Sequence, residues 1–317
     1  MAKVVYGGQS YECGTLSVLD CLTAQGVSVP SSCRSGVCQT CMMSATSGTV
    51  PALAQAGLKS THAAQNYFLA CSCFPEQDIT VELVDAKARQ HQAQITGIEY
   101  LNADILGIKL KPLQPFAYKA GQFINFFKDA HTARCYSLAS VPTIDDELFL
   151  NVRKVPNGLM TSWIFDELKI GDEVTISDAS GDCFYVAGNA EQNILLIATG
   201  SGLAPLYGII KDALLNGHRG KLSLYHGSYN TAGFYLVAAL QSLAEKHPNF
   251  TYTRCVSDGV AVQGYASGMV LDVALAEHPK LSGWRVFLCG NPDMVNAAKQ
   301  QTFFAGASMR DIFADPF

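Results

Sequence analysis

The chain has 317 residues, 49% of them hydrophobic and 15% charged, with a net charge of −5. That length allows two or three domains with sizeable cores, and the composition excludes a disordered or fibrous chain. Asp and Glu outnumber Lys and Arg by 6 to 4 over residues 1–88 and by 12 to 9 over 89–190, and balance at 9 each over 191–317. No part has the basic excess of a nucleic-acid binder.

The first residues, MAKVVYGGQSYEC, lack the apolar run of a signal peptide. The stretch nearest to a membrane span, residues 193–210, holds Gly200, Ser201, Gly202 and Pro205 at its centre, so no membrane segment is expected. Residues 3–6 and 9–13 read as strands around a Gly7-Gly8 hairpin turn. Residues 16–25, apolar at Leu16, Leu19 and Leu22 and followed by Gly26, predict a helix with a glycine stop.

Next comes Cys33-Arg-Ser-Gly-Val-Cys38-Gln-Thr-Cys41, with Cys71 following after a gap of 29 residues. A cluster of two irons and two sulfides takes four thiolates, and Cys-x4-Cys-x2-Cys plus one distant cysteine is the plant-type arrangement. Zinc would call for a second Cys-x2-Cys or for histidines, and only His62 lies between Cys41 and Cys71. Cys73 would share a strand face with Cys71, so geometry alone leaves it open as the fourth ligand. The remaining cysteines (Cys13, Cys21, Cys73, Cys135, Cys183, Cys255 and Cys289) show no pairing in their spacing, which fits a reducing cytosol.

Residues 42–47 and 78–83 predict strands, and the polar residues 85–93 a linker. Short strands at 95–100, 105–110, 121–126, 147–152 and 173–176 have the spacing of a small antiparallel barrel. Within it, Arg134-Cys-Tyr-Ser137 puts Arg134 and Tyr136 on one strand face. A guanidinium suits a pyrophosphate, a flat ring a flavin, and the Ser137 hydroxyl a ring nitrogen. Residues 156–168 are a glycine turn opening a helix, with Thr161 or Ser162 near its start: an anion site, or an ordinary capped helix.

From residue 194 the period changes. An apolar strand at 194–198, the loop Thr199-Gly-Ser-Gly-Leu-Ala-Pro205 and a helix at 206–215 form a nucleotide-binding arrangement, though without Gly-x-Gly-x-x-Gly. Strands at 222–226, 250–256 and around 285–289 continue a doubly wound alternation.

The cysteine motif, with YFLACSCFP around Cys71, resembles the ferredoxin module of bacterial oxygenase reductases. Arg134–Ser137 resembles the flavin motif of the ferredoxin–NADP reductase superfamily, Thr199–Pro205 its nicotinamide loop, and Cys289-Gly-Asn-Pro292 its Cys-Gly-x-Pro. The resemblance implies a multi-domain chain of α+β and α/β parts. These are a β-grasp 2Fe–2S ferredoxin domain over 1–88, an antiparallel β-barrel FAD domain over 89–190, and a doubly wound parallel-sheet NAD domain over 191–317.

It implies cluster ligands Cys33, Cys38, Cys41 and Cys71, the last preferred to Cys73. Flavin contacts would come from Arg134, Cys135, Tyr136, Ser137, Val152, Asn157, Gly158, Thr161 and Ser162, where Thr161 replaces the family's serine and keeps its hydroxyl. Thr199, Gly200, Gly202, Pro205, Cys289 and Gly290 would hold the nicotinamide nucleotide, with Tyr136, Ser137 and Cys289 beside the reacting atoms. Phe317 would shield the flavin, and Phe184 or Tyr185 would pack on its adenine.

The activity implied is transfer of electrons from NADH through FAD and the cluster to a protein acceptor. That acceptor would be an oxygenase or hydroxylase component or an intermediary ferredoxin. Alternatives are a reductase feeding a deoxysugar dehydratase and a redox-sensing carrier without turnover. A cytoplasmic monomer with no nucleic-acid or membrane partner is expected. NADH is expected over NADPH, because Gly227-Ser-Tyr-Asn-Thr-Ala232 offers no Lys or Arg before Lys246.

Overall fold

The structure, a computed structural model, describes residues 2–31, 34, 36, 39, 41–84, 90–129, 132–260 and 262–317. Two compact units divide the chain, Met1–Ala88 and Arg89–Phe317.

In the first unit, strands β1 (Lys3–Tyr6) and β2 (Gln9–Glu12) form a hairpin over Gly7 and Gly8, both at positive φ. Helix α1 (Val18–Ala24), β3 (Met42–Ser47), α2 (Ser60–Ala64), β4 (Tyr67–Leu69) and β5 (Ile79–Leu83) follow. The strands assemble in the order β2-β1-β5-β3-β4, with β1 parallel to β5 and the other pairs antiparallel. Val18, Leu19 and Leu22 of α1 pack with Val4, Met43, Phe68 and Val81, all buried. Each large side chain so removed from water contributes about 1.5–3 kcal/mol.

Two sequence expectations are corrected here. The helix starts at Val18 and not at 16: the Ser17 hydroxyl accepts the Asp20 N–H at 3.1 Å, and this cap leaves Leu16 outside the helix and exposed. Cys13 and Cys21, taken as unpaired, form a disulfide that ties the end of β2 to α1. A spacing of eight residues gave no hint of it, because the contact is made by the helix turning back over the sheet.

The second unit opens with a barrel: β6 (Gln90–Tyr100), β7 (Ile105–Pro112), β8 (Phe123–Phe127), β9 (Ala133–Ser137), β10 (Leu148–Arg153), α3 (Leu159–Asp166) and β11 (Glu173–Ser177). The sheet is antiparallel throughout, in the order β10-β7-β6-β11-β8-β9. A bridge between Leu138 and Leu150 joins its two edges, supported by the Ala139 N–H donating to Phe149 O at 2.8 Å. The polar stretch read as a linker is therefore strand from residue 90 on, pairing with β11. Gln90, Gln92 and Gln94 face water while Ala93 and Ile95 face the core, so polar composition hid a period of two.

A parallel sheet follows: β12 (Ile194–Thr199), α4 (Leu203–Leu215), β13 (Leu222–Ser228), α5 (Val237–Lys246), β14 (Phe250–Val256), β15 (Ala266–Ser267), α6 (Val270–Glu277), β16 (Arg285–Gly290), α7 (Pro292–Phe304) and β17 (Ile312–Pro316). The order is β15-β14-β13-β12-β16-β17, every pair parallel. Alternate residues of β12 serve opposite faces. Leu196 packs with Leu206, Ile210 and Leu240, whereas Leu195 and Ile197 pack with Leu271, Ala274, Val295 and Ala298. Helix α4 begins three residues earlier than expected, since Pro205 lies in its first turn, where an N–H has no helical partner to lose.

Glycines let barrel and parallel sheet meet. A Cβ on Gly208 of α4 would lie 3.1 Å from Leu138 O, and one on Gly121 would strike Cys183 O and Ile209. The segment just after β9 thus lies against the helix that opens at the glycine loop.

Candidate functional site

The Thr199–Gly202 loop joins β12 to α4, and the turn after β16 lies directly against it. The Thr199 hydroxyl accepts the Asn291 N–H at 3.0 Å. A Cβ on Gly202 would collide with Cys289 O, and one on Gly290, at φ +125°, with Thr199 O. Only glycine permits this approach. Cys289 itself is fully buried, in register with Ala198 on one side and Asp315 on the other.

No side chain caps the N-terminus of α4, whose dipole favours an anion such as a nucleotide pyrophosphate. Of its first three residues, Leu203 turns its N–H back to Gly200 O and Ser201 O, and Pro205 has none. From the loop's other flank, Tyr235 donates its hydroxyl to Gly200 O at 3.2 Å.

Strand β9 is the last strand of the barrel sheet, paired with β8 along its length and followed at once by the Leu138 bridge to β10. Arg134 is exposed there and Tyr136 half-buried, its ring edge-on to Phe126 at 6.2 Å. Burial pushes the Tyr136 hydroxyl up to about 12, so it stays protonated at neutral pH. Ser137 is buried at the end of the strand. Cys135 points to the opposite face, where its thiol donates to Asn125 Oδ1 at 3.1 Å.

Phe126 of β8 also packs on Trp163 in the middle of α3, at 5.6 Å, so one ring touches both Tyr136 and that helix. Gly158 is the N-cap of that helix, with no side-chain cap, and Asn157 before it is left-handed at φ +58°. Thr161 does not reach outward. Its hydroxyl donates to Val155 O and accepts from Val155 N–H, both at 3.2 Å, and so holds the turn. Ser162 lies at the edge of the buried face, and Val152 is buried in β10.

Phe184 and Tyr185 correct an expectation, since both are core residues. Phe184 lies under Lys119, and the Tyr185 hydroxyl meets His218 Nδ1 at 3.2 Å. Neither offers a face to an adenine.

In the first unit, Cys33 and Cys38 lie outside the described residues. Cys41 is buried and Cys71 half-exposed; the two thiols interact, and the Ala70 N–H donates to Cys41 O at 3.0 Å. Cys73 is buried in the core, and its carbonyl accepts the Val18 N–H at 2.8 Å. The loop bends through left-handed Arg34, Gly36 and Gln39, and a Cβ on Gly36 would lie 2.8 Å from the Ser72 hydroxyl. The loop is thereby drawn against the turn bearing Cys71.

Sequence reasoning missed three residues. Arg153, the last of β10, places its guanidinium beside Gly200 of the loop; a Cβ on Gly200 would be 3.5 Å from Nη1. Asp315 and Cys183 join the site only through the pairing of β17 and the fold of the barrel's end, and no local motif marks them. The cavity bounded by Lys109, Asp145, Tyr207 and Lys211, about 560 Å³ in volume, contains none of the site residues. Two of its lining residues, Lys211 and Asp145, form an ion pair at 2.8 Å.

The donor sets fit the groups expected of them. Cysteine thiols on a tightly bent loop suit an iron–sulfur cluster; an arginine and a tyrosine on one barrel strand, with an uncapped helix in the same barrel, suit FAD; a helix without a side-chain cap after a glycine loop suits a nicotinamide dinucleotide. Antiparallel barrel followed by parallel sheet, with a cysteine-loop module ahead of them, defines an NAD(P)H-dependent flavin and iron–sulfur oxidoreductase.

Comparison with known proteins narrows this. Residues 5–76 match the 2Fe-2S iron-sulfur cluster binding domain, 93–185 the oxidoreductase FAD-binding domain and 196–300 the oxidoreductase NAD-binding domain. The chain is 30% identical, over 95% of its length and 93% of the relative's, to the ferredoxin–NAD(P)+ reductase component of the naphthalene 1,2-dioxygenase system of Pseudomonas putida. It is 28% identical to the CDP-6-deoxy-L-threo-D-glycero-4-hexulose-3-dehydrase reductase of Yersinia pestis, over 96% and 94%. The crystal structure of the Amycolatopsis cytochrome P450 reductase GcoB superposes with a TM-score of 0.70 at 30% identity, covering 100% of this chain and 99% of that one. The chain belongs to the family of flavin- and NAD-binding reductases that carry a 2Fe–2S ferredoxin domain.

Proposed function

We propose that this chain takes electrons from NADH and delivers them to the oxygenase or hydroxylase component of a multicomponent system. The observation that carries the reading is the contact between the Thr199–Gly202 loop and the Cys289 turn, in the same compact unit as β9. Bound FAD accepts electrons in a pair and releases them singly, and a 2Fe–2S centre carries one at a time.

The protein's own residues have simpler tasks in this reading. Arg134 and the start of α3 hold the flavin's phosphates, Tyr136 and Ser137 its ring, and the start of α4 the nicotinamide nucleotide's pyrophosphate, with Cys289 beside the nicotinamide. Cys33, Cys38, Cys41 and Cys71 ligate the cluster. The proposed domain limits are 1–88, 89–190 and 191–317.

NADH is favoured over NADPH. At the end of β13 the chain presents Ser228, then exposed Tyr229 and Asn230. The one neighbouring cation on β14, Arg254, is already engaged: it donates to Tyr265 Oη and Gly264 O, both at 3.1 Å, and lies 4.2 Å over the Tyr265 ring.

A cytoplasmic monomer completes the proposal; it rests on the resemblance and not on the cysteine pattern, since Cys13 and Cys21 are paired. No helix among the described residues is long and apolar enough to cross a membrane. The likeness to the Yersinia pestis reductase supports a second reading of the acceptor, a sugar dehydrase.

The test is an anaerobic titration with NADH, followed by visible absorbance and electron paramagnetic resonance. Flavin bleaching together with a reduced 2Fe–2S signal is expected. Bleaching without that signal, in protein shown to contain iron and sulfide, would overturn the cluster as exit port. Turnover with purified oxygenase or dehydrase components then separates the two acceptors.

A further inference from the structure

The peptide that joins Gly200 to Ser201 lies at the start of the glycine loop, and its orientation decides where one main-chain N–H points. It is planar and trans, so the Gly200 carbonyl and the Ser201 N–H point in opposite directions. Glycine fixes that plane poorly by itself, since its backbone takes either sign of φ, and Gly200 stands at φ +55°. The main chain adds only a divided bond, because the Leu203 N–H is shared between Gly200 O and Ser201 O.

The undivided bond comes from a side chain. Tyr235 donates its hydroxyl to Gly200 O at 3.2 Å. Its ring is buried in one core cluster with Ala198, Leu203 and Leu206, and stands edge-on to His226 at 5.7 Å. Burial pushes the hydroxyl well above the usual phenol range, so it keeps the proton it donates. The chain just before the ring is held as well. Asn102, in the turn between β6 and β7, donates its side-chain amide to Gly233 O at 3.0 Å, and a Cβ on Gly233 would strike the Ser228 hydroxyl. A packed ring on a fixed segment leaves the hydroxyl one place to go.

We propose that Tyr235 is a positioning residue for the nicotinamide nucleotide: by drawing the Gly200 carbonyl toward the core, it turns the Ser201 N–H outward to the pyrophosphate. This rests on the reading of the start of α4 as the pyrophosphate site. Leu203 spends its N–H on the loop and Pro205 has none, so the orientation of the loop's own peptide counts for more than it would at a helix start with every donor free. Without the hydroxyl the peptide is free to rotate, and the anion loses a donor.

The test uses oxidised holoprotein. Gly–Ser pairs occur in the sequence only at 200–201 and 227–228. Labelling glycine carbonyls with carbon-13 and serine nitrogens with nitrogen-15 therefore isolates two peptide signals in the NMR spectrum, and Ser228→Ala assigns them by removing one. The probe is ADP-ribose, which carries the pyrophosphate without the nicotinamide. In the wild type it should move the Ser201 amide proton downfield. Tyr235→Phe keeps the ring and loses the hydroxyl. In that variant the Gly200 carbonyl signal should shift before any ligand is added, and the response of Ser201 to ADP-ribose should shrink. The Kd for ADP-ribose should rise about two- to tenfold, as loss of one hydrogen bond between neutral groups allows. In stopped-flow flavin bleaching by NADH, the loss should fall on half-saturation and not on the limiting rate.

A Gly200 carbonyl signal unmoved by Tyr235→Phe, or a wild-type Kd for ADP-ribose in that variant, overturns the proposal and leaves the nucleotide at α4. Binding of ADP-ribose to the wild type with no movement of the Ser201 signal overturns the reading of the α4 start, and the proposal with it. Tyr235→Leu, apolar and without a hydroxyl, repeats the comparison should phenylalanine leave too little folded protein.

Discussion

The main-chain N–H of Phe317 donates to the carbonyl of Gly290 at 3.0 Å. This bond continues the β16–β17 pairing by one residue and anchors Phe317 beside the turn that follows Cys289. The side chain is 46% exposed, so the anchoring is done by backbone and the ring is left for other work. Phe317→Ala keeps the bond. If the ring covers the flavin and must yield to nicotinamide, its loss should lower the KM for NADH by about threefold, near 0.7 kcal/mol, with flavin content unchanged. An unchanged KM would show that the ring does not compete.

The fourth cluster ligand is separable by mutation. Cys71 is half-exposed and meets Cys41, whereas Cys73 is enclosed in the core beneath α1. Cys71→Ser should abolish the visible absorption and paramagnetic signal of the cluster, and iron analysis should fall with them. Cys73→Ser should retain the cluster and cost about 1–3 kcal/mol in unfolding free energy, from a polar group placed in an apolar site. The reverse result would exchange their roles.

Arg134 stands exposed on β9 with no acidic partner among the described residues, its Nη1 donating to the adjacent Ala133 O at 2.7 Å. Arg134→Ala should raise the FAD dissociation constant about ten- to a hundredfold, as expected for one or two charge-assisted hydrogen bonds. Flavin fluorescence on dilution measures this directly. Retention of FAD at the wild-type level would move the pyrophosphate elsewhere.

Nicotinamide preference follows from the engagement of Arg254 and from the neutral segment after β13. The kcat/KM for NADH should exceed that for NADPH by about tenfold or more, and Tyr229→Arg should narrow the ratio by supplying a cation for the 2′-phosphate. Equal rates with both nucleotides in the wild type would mean that a cation reaches the 2′-phosphate from another element.

The Cys13–Cys21 bond closes a loop over a sequence separation of eight. In the chain-entropy account it contributes roughly 2.5 kcal/mol to the stability of the first unit. Alkylation of denatured, metal-free protein without reductant should label nine of the eleven cysteines, and all eleven after reduction. Eleven labelled in both cases would show the pair reduced in the isolated protein.

What the sequence determined by itself was local chemistry. The spacing of Cys33, Cys38 and Cys41 selects a cluster loop because a compact inorganic core demands closely spaced thiolates. Thr199–Pro205 selects a nucleotide loop because only a strand, glycines and a helix start present free N–H groups to a phosphate. Period-two and apolar runs likewise gave the barrel and the parallel sheet.

Only the tertiary structure decided what depends on contacts between distant segments. The polar strand Gln90–Gln94 becomes visible as strand when β11 pairs with it. Strand β17, and with it the place of Asp315 and Phe317, exists because β16 leaves an edge open to it. Thr161 turned inward, Phe184 and Tyr185 became core, and Cys183 joined the core cluster of Cys289 from more than a hundred residues away. Spacing along a chain fixes what neighbours in sequence can do. Which distant side chains share a buried volume is set by packing, and packing is a property of the assembled elements.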